Sequence, residues 1–178
     1  NSMHIYIPMI QRDYAQGRPQ PNIRLIRKRF LDAIFDAIAN GDKLELDFVY
    51  GQKDLDQSLS DAPGTVDIFT PLDGQQRLTT LFLLHWYAAS REGHINGAEG
   101  EDLSEATKLL DRFRYKTRYS AETFCSKLVR HKIEPKTSKT VSQHIRDQRW
   151  FFYGWETDPT IESMLTMIDE IHTRYEDH

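Results

Sequence analysis

Asp73-Gly74-Gln75-Gln76-Arg77 has the residue types and spacing to hold an anion. It lies between an apolar run ending in Pro71-Leu72 and a longer apolar segment from Leu78 to Ala89. If a helix starts here, its first turn offers backbone N–H groups with no intrahelical partner, at the positive end of the helix dipole. Asp73 is placed to cap that helix, with Gln76 reaching back from three residues on, as in a capping box. Gly74 has no side chain, so an anion can come close to the backbone. Arg77 brings a planar fork of donors matched to phosphate oxygens, and Gln75 and Gln76 add amide donors. The set suits a phosphate group. An acid-capped helix with a polar first turn is the plainer reading. Against it, two glutamines and an arginine cost side-chain entropy to order and are not needed for capping. A second pair, Gln11-Arg12, follows another apolar extended run, and the two Gln-Arg pairs are expected to face one ligand.

The elements that must position these residues can be read from periodicity. Ile5 to Ile10, around Pro8, reads as extended, followed by a turn-rich stretch through Gly17, Pro19 and Pro21. With Asn22 as N-cap, Ile23, Ile26, Phe30, Ile34 and Ile38 recur at helical spacing until Asn40-Gly41 stops the helix. Leu44 to Tyr50 alternates as a strand does, Gln52 to Gly64 reads as a loop, and Val66 to Leu72 is a second strand with Pro71 at an edge or terminus. Leu78 to Ala89 is apolar on all sides, the mark of a buried helix. After a linker from Ser90 to Glu101, four helices are expected: Leu103 to Phe113, one capped by Ser120 and reaching His131, Val141 to Phe152, and Pro159 to Tyr175 behind an Asp158 cap. The fold class is therefore α+β, with a small mixed sheet and helices over residues 5–90 and an all-helical extension over 91–178. The last helix has nothing to return to, so the chain is expected to continue beyond His178 in a longer protein.

Composition narrows the function classes. In 178 residues, 39% are hydrophobic and 28% charged, which fits a globular, soluble domain rather than a disordered one. A net charge of −4 argues against a nucleic-acid grip over the whole surface but leaves room for a local basic patch. Arg24, Arg27, Lys28 and Arg29 on the first helix are either a solvated basic face or contacts to DNA phosphates. Cys125 stands alone, so no disulfide forms within the chain, and it reads as a packed thiol in a reducing, cytoplasmic setting. Asn1-Ser2 ahead of Met3 reads as a cloning remnant outside the fold, and no signal peptide or membrane-length apolar run is present. None of the seven histidines forms a metal-spaced pair, and His85 reads as a core histidine. Trp150-Phe151-Phe152 and Trp155 read as core or docking face, with base stacking as the alternative. The absence of a Walker-type Gly-rich loop excludes P-loop hydrolysis.

Two segments resemble a known family. Ile7-Pro8-Met9-Ile10-Gln11-Arg12-Asp13-Tyr14 and Leu72-Asp73-Gly74-Gln75-Gln76-Arg77-Leu78-Thr79-Thr80-Leu81 are similar to the two signature motifs of the GmrSD N-terminal domain family. The second matches fully. The first departs at Gln16, where the family usually has Trp. The motifs cover residues 7–81, and the helical remainder fits only loosely. The resemblance implies a fold similar to ParB and sulfiredoxin, in a bacterial type IV restriction protein acting in defence against phage and other foreign, often modified, DNA. It implies a module that binds and hydrolyses a nucleoside triphosphate with Mg²⁺, joined to a C-terminal HNH-type nuclease domain that this chain lacks. Gln11, Arg12 and Tyr14 are then expected to line the nucleotide site from one side, and Asp73, Gly74, Gln75, Gln76 and Arg77 from the other. Arg12 and Arg77 would hold phosphate charge. Gln75 or Gln76 would orient the attacking water, so that Gln75, Gln76 and Arg77 form the catalytic group. Asp73 would hold the metal through water or only cap the helix, and direct metal ligands stay unassigned. The alternatives are a ParB-like nuclease acting on DNA itself and a non-catalytic module that senses nucleotide or DNA.

Overall fold

The structure, a computed structural model, describes residues 3–46, 48–56, 66–97, 102–133 and 139–177. The elements run β1 (Met3–Ile7), α1 (Pro21–Asn40), β2 (Tyr50–Asp56), β3 (Val66–Asp73), α2 (Gln75–Arg91), α3 (Glu105–Leu110), β4 (Phe113–Tyr115), α4 (Tyr119–Leu128), α5 (Val141–Arg146), a 3-10 turn (Tyr153–Thr157) and α6 (Pro159–Asp177). The strands form one mixed sheet in the order β2-β3-β1-β4. Both β3 and β4 run parallel to β1, and β2 runs antiparallel to β3. This is the expected α+β class.

Two helices follow their sequence signals closely. α2 buries Phe82, Leu83, Leu84, Trp86 and Tyr87. α6 starts where Asp158 accepts the backbone N–H groups of Thr160 and Ile161 at 2.9 and 3.2 Å, and its stripe of Ile161, Met164, Leu165, Ile168 and Ile171 is buried. The core is one cluster that includes Ile7 of β1, Trp86 of α2, Phe124 of α4 and Ile171 of α6. Cys125 is packed within it, 3.9 Å from the Met164 sulfur.

Elsewhere tertiary pairing overrides local pattern. α1 begins at Pro21, with Gln20 rather than Asn22 at its cap position, and ends at Gly41 in the left-handed region as expected. From Leu44 to Val49 the described residues are irregular, and the strand begins at Tyr50, inside the stretch expected as a loop. Residues 57–65 of that stretch lie outside the described residues. β2 is an edge strand paired with β3 from Tyr50↔Asp73 to Asp56↔Val66, and its exposed polar side chains hide it from any hydrophobic pattern. Gly51 allows the close approach: a Cβ there would lie 2.2 Å from the Thr70 carbonyl oxygen. The helix expected from Leu103 to Phe113 is only the short α3, because Phe113 opens β4 against β1. Among the described residues, this strand is the one departure from an all-helical second half. Ser120 sits inside the first turn of α4 rather than at its cap, and its hydroxyl donates to Asp158 at 2.6 Å. α5 ends at Arg146, short of Phe152. Among the described residues no helix is long and apolar enough to cross a membrane.

Candidate functional site

β1 and β3 are parallel, so the chain leaves both at the same edge of the sheet. From β1 it passes into the loop carrying Gln11 and Arg12, and from β3 through Gly74 into α2. Ligands of parallel sheets favour this edge, where strand ends and helix starts converge. A cleft of about 920 Å³ opens here. Gln11, Arg12, Ala15 and Gln16 line it from one side, Leu72 to Arg77 from another, and Ile23, Ile26 and Phe30 of α1 with Phe48 form an apolar wall. The two Gln-Arg pairs therefore share one cleft.

Their side chains are used differently from the sequence expectation. Gln75 is almost fully buried and its Nε2 donates to the Arg12 carbonyl oxygen at 2.9 Å, while its Oε1 is buried without a partner among the described residues. Gln76 donates to the Asp13 carbonyl oxygen at 3.0 Å and accepts the Ala15 N–H at 2.9 Å. In return, the Gln11 Nε2 donates to the Pro71 carbonyl oxygen at 3.2 Å. The glutamines thus stitch the two motif segments together through backbone groups. Tyr14 does not line the cleft. It is fully buried, its hydroxyl 2.7 Å from Thr80 Oγ1, and burial raises the hydroxyl's pKa. Thr80 in turn donates to Gln16 Oε1 at 2.6 Å.

Asp73 does not cap α2. Gly74 occupies the cap position at φ 88°, no side chain caps the helix, and the expected capping box is absent because Gln76 is bound to the 13–15 backbone. The half-exposed Asp73 carboxylate instead lies 3.5 Å from Arg77 Nη2. The flank of Gly74 expected to admit an anion is occupied by Val49: a Cβ on Gly74 would lie 2.7 Å from its Cγ2. Arg77 donates to the Phe48 carbonyl oxygen at 2.6 Å, so segment 48–49 lies directly over the helix start. Arg12 is exposed, with no side-chain partner among the described residues. Asp73 is the one acidic side chain among the cleft's lining residues, and no group of three or more His, Cys, Asp or Glu that could hold a metal occurs among the described residues.

The sequence signals outside the motifs are also resolved. Arg27 is not part of a solvated basic face: it is 4% exposed, donates to the Gln16 carbonyl oxygen at 2.7 Å and pairs with Glu170 at 3.3 Å. Its place on the inner face of α1 makes it a buttress for the Gln16 loop. His85 is exposed rather than in the core. Trp150, Phe151 and Trp155 surround the buried ring of Phe124, which makes them packing residues. Sequence reasoning missed Gln16 and the apolar wall of Ile23, Ile26, Phe30 and Phe48. The signal for Gln16 was its place at the end of the first motif. The helical pattern showed Ile23 and Ile26 only as core positions.

An α+β module whose paired Gln-Arg motifs close one cleft at the ends of parallel strands is the class of protein that fold and site define. The chain belongs to the family of GmrSD restriction endonuclease N-terminal domains, whose family model matches residues 1–177. The match reaches well past the motifs, through the helical half that resembled the family only loosely by sequence. No curated protein and no solved structure matches the chain.

Proposed function

We propose that this chain is the nucleoside-triphosphate-binding module of a restriction system that acts on DNA, and that its cleft holds the triphosphate for hydrolysis. The observation that carries this reading is that Arg12, Arg77 and the uncapped start of α2 line one cleft. Phosphate oxygens take the guanidinium of Arg12, and the positive end of the α2 dipole favours their charge in the same cleft. Arg77, held by the Phe48 carbonyl and beside Asp73, adds its positive charge to the same side of the cleft. The apolar wall of Ile23, Ile26, Phe30 and Phe48 receives the base or sugar face. Mg²⁺ keeps several waters and needs only one or two carboxylates beside substrate phosphates, so the single carboxylate of Asp73 fits it. When bound there, the ion would neutralise charge on the phosphate chain. Gln75 and Gln76 act as positioning residues: they fix the backbone of residues 12–15 and with it Arg12.

A second reading, nucleotide sensing without turnover, is favoured by one observation. Both glutamines expected to orient water have their amide N–H groups on loop carbonyls. Titration of the chain with Mg²⁺-ATP and Mg²⁺-GTP in a calorimeter, with phosphate release followed in parallel, separates the two. Binding with release supports hydrolysis, binding alone supports sensing, and no binding of either triphosphate overturns both. The C-terminal HNH-type nuclease domain and cytoplasmic placement belong to the same proposal.

A further inference from the structure

The sheet has a second face. On β1 and β4, Ile7, Phe113 and Tyr115 are buried in the core, and Phe82 of α2 stacks on Phe113 with ring centroids 4.4 Å apart. Strand alternation puts the residues between them on the opposite face. There Tyr6 pairs with Arg114 across the strands, and Arg112 and Lys116 stand at the turn positions immediately before and after β4. The Lys116 ammonium lies 4.5 Å from the centroid of the Tyr6 ring, and His4 meets the same ring edge-on. Asp111 answers this row by pairing with Arg114 at 3.2 Å and Arg130 at 3.3 Å. Arg112 and Lys116 have no carboxylate partner among the described residues. Charge on an edge strand also guards against unwanted sheet pairing. That role needs neither three cations in line nor aromatic rings beside them, and the row stands out in a chain of net charge −4.

We infer that the β1–β4 face, with Arg112, Arg114 and Lys116 around Tyr6, is a docking surface for the phosphate backbone of DNA. Charge complementarity names the occupant: phosphates take the row of cations without sequence preference. This site is separate from the triphosphate cleft and does not depend on the nucleotide reading.

The test is fluorescence anisotropy of labelled 20-mer duplex and single-stranded DNA, across a salt series and without nucleotide. The wild-type chain should bind with a salt-dependent affinity. Arg112→Gln/Lys116→Gln leaves the Arg114–Asp111 pair in place. It should weaken binding about tenfold at low salt and reduce the slope of log K against log salt by about 1.8, since each phosphate contact contributes roughly 0.9. Thermal melts check that this variant folds, and calorimetry should show its triphosphate binding unchanged. Arg24→Gln/Arg29→Gln on α1 serves as the rival surface and should bind DNA like wild type. The inference is overturned if the folded β4 variant keeps wild-type affinity and slope, or if the α1 variant alone loses binding. Binding to anionic phospholipid vesicles with none to either DNA would also overturn it.

Discussion

The side-chain carbonyl of Gln76 accepts the backbone N–H of Ala15 at 2.9 Å, tying the start of α2 to the loop that follows β1 across 61 positions of sequence. The same side chain donates to the Asp13 carbonyl oxygen, so Gln76 replaces the backbone partner that an irregular loop lacks. Gln76→Ala removes both bonds and strands two backbone groups. It should destabilise the fold by about 1–3 kcal/mol and also weaken triphosphate binding by freeing Arg12. Gln76→Glu keeps the acceptor and should fall between. Urea denaturation with parallel calorimetry checks this. Unchanged stability with loss of turnover alone would make Gln76 a catalytic residue rather than a positioning one.

Gly74 meets two demands at once. Its φ of 88° is costly for any residue with a Cβ, and Val49 fills the space a Cβ would need. Gly74→Ala should cost about 1–2 kcal/mol from backbone conformation alone, plus the Val49 contact. Adding Val49→Ala should recover only the contact part. Chemical denaturation midpoints of the three variants measure the split. Equal stability of Gly74→Ala and wild type would contradict the backbone geometry.

What could be read from sequence was local. α2 and α6 carry long hydrophobic patterns, and the two residues Asp158-Pro159 mark the start of α6. The Gln-Arg pairs were visible as chemistry, whereas Gly74 was read as an opening for an anion and not as the left-handed cap it forms. Side-chain destinations were not, because Gln75, Gln76 and Gln11 bind backbone groups about 60 residues away that no local pattern encodes. Tyr14 was placed at the ligand only through the family resemblance, yet its partner is Thr80 inside the core. β2 and β4 were invisible for related reasons. The first is polar at the edge of the sheet, and the second is three residues long and exists because β1 offers it a ladder.

His131 should impose a pH dependence on stability. Burial, and then the neighbouring His144, lower its pKa from 6.5 to about 4, and its Nε2 is buried without a partner among the described residues. The unfolded chain therefore takes up the proton more readily than the native one. This contribution is complete above pH 6.5 and is lost as pH falls towards 4, by roughly 3 kcal/mol in all. His131→Gln keeps the backbone carbonyl that accepts the Trp86 indole N–H and should flatten stability over that window. Thermal melts from pH 7 to 4 report it, and identical profiles for variant and wild type would contradict the burial argument.

Arg77 gives the most direct test of the triphosphate cleft. Calorimetric titration of Mg²⁺-triphosphate into wild type, Arg77→Ala and Arg77→Lys, with thermal melts alongside, separates ligand contact from fold support. A charge-assisted bond to phosphate contributes roughly 1.5–3 kcal/mol, so Arg77→Ala should weaken binding about tenfold to a hundredfold. Arg77→Lys should recover only part, because lysine keeps the charge and loses the fork. Melting temperature should fall little, since the Phe48 carbonyl that Arg77 leaves behind is open to water. Unchanged triphosphate affinity with a large drop in melting temperature would contradict the account, leaving Arg77 as a strut for segment 48–49 and the cleft without its phosphate arginine.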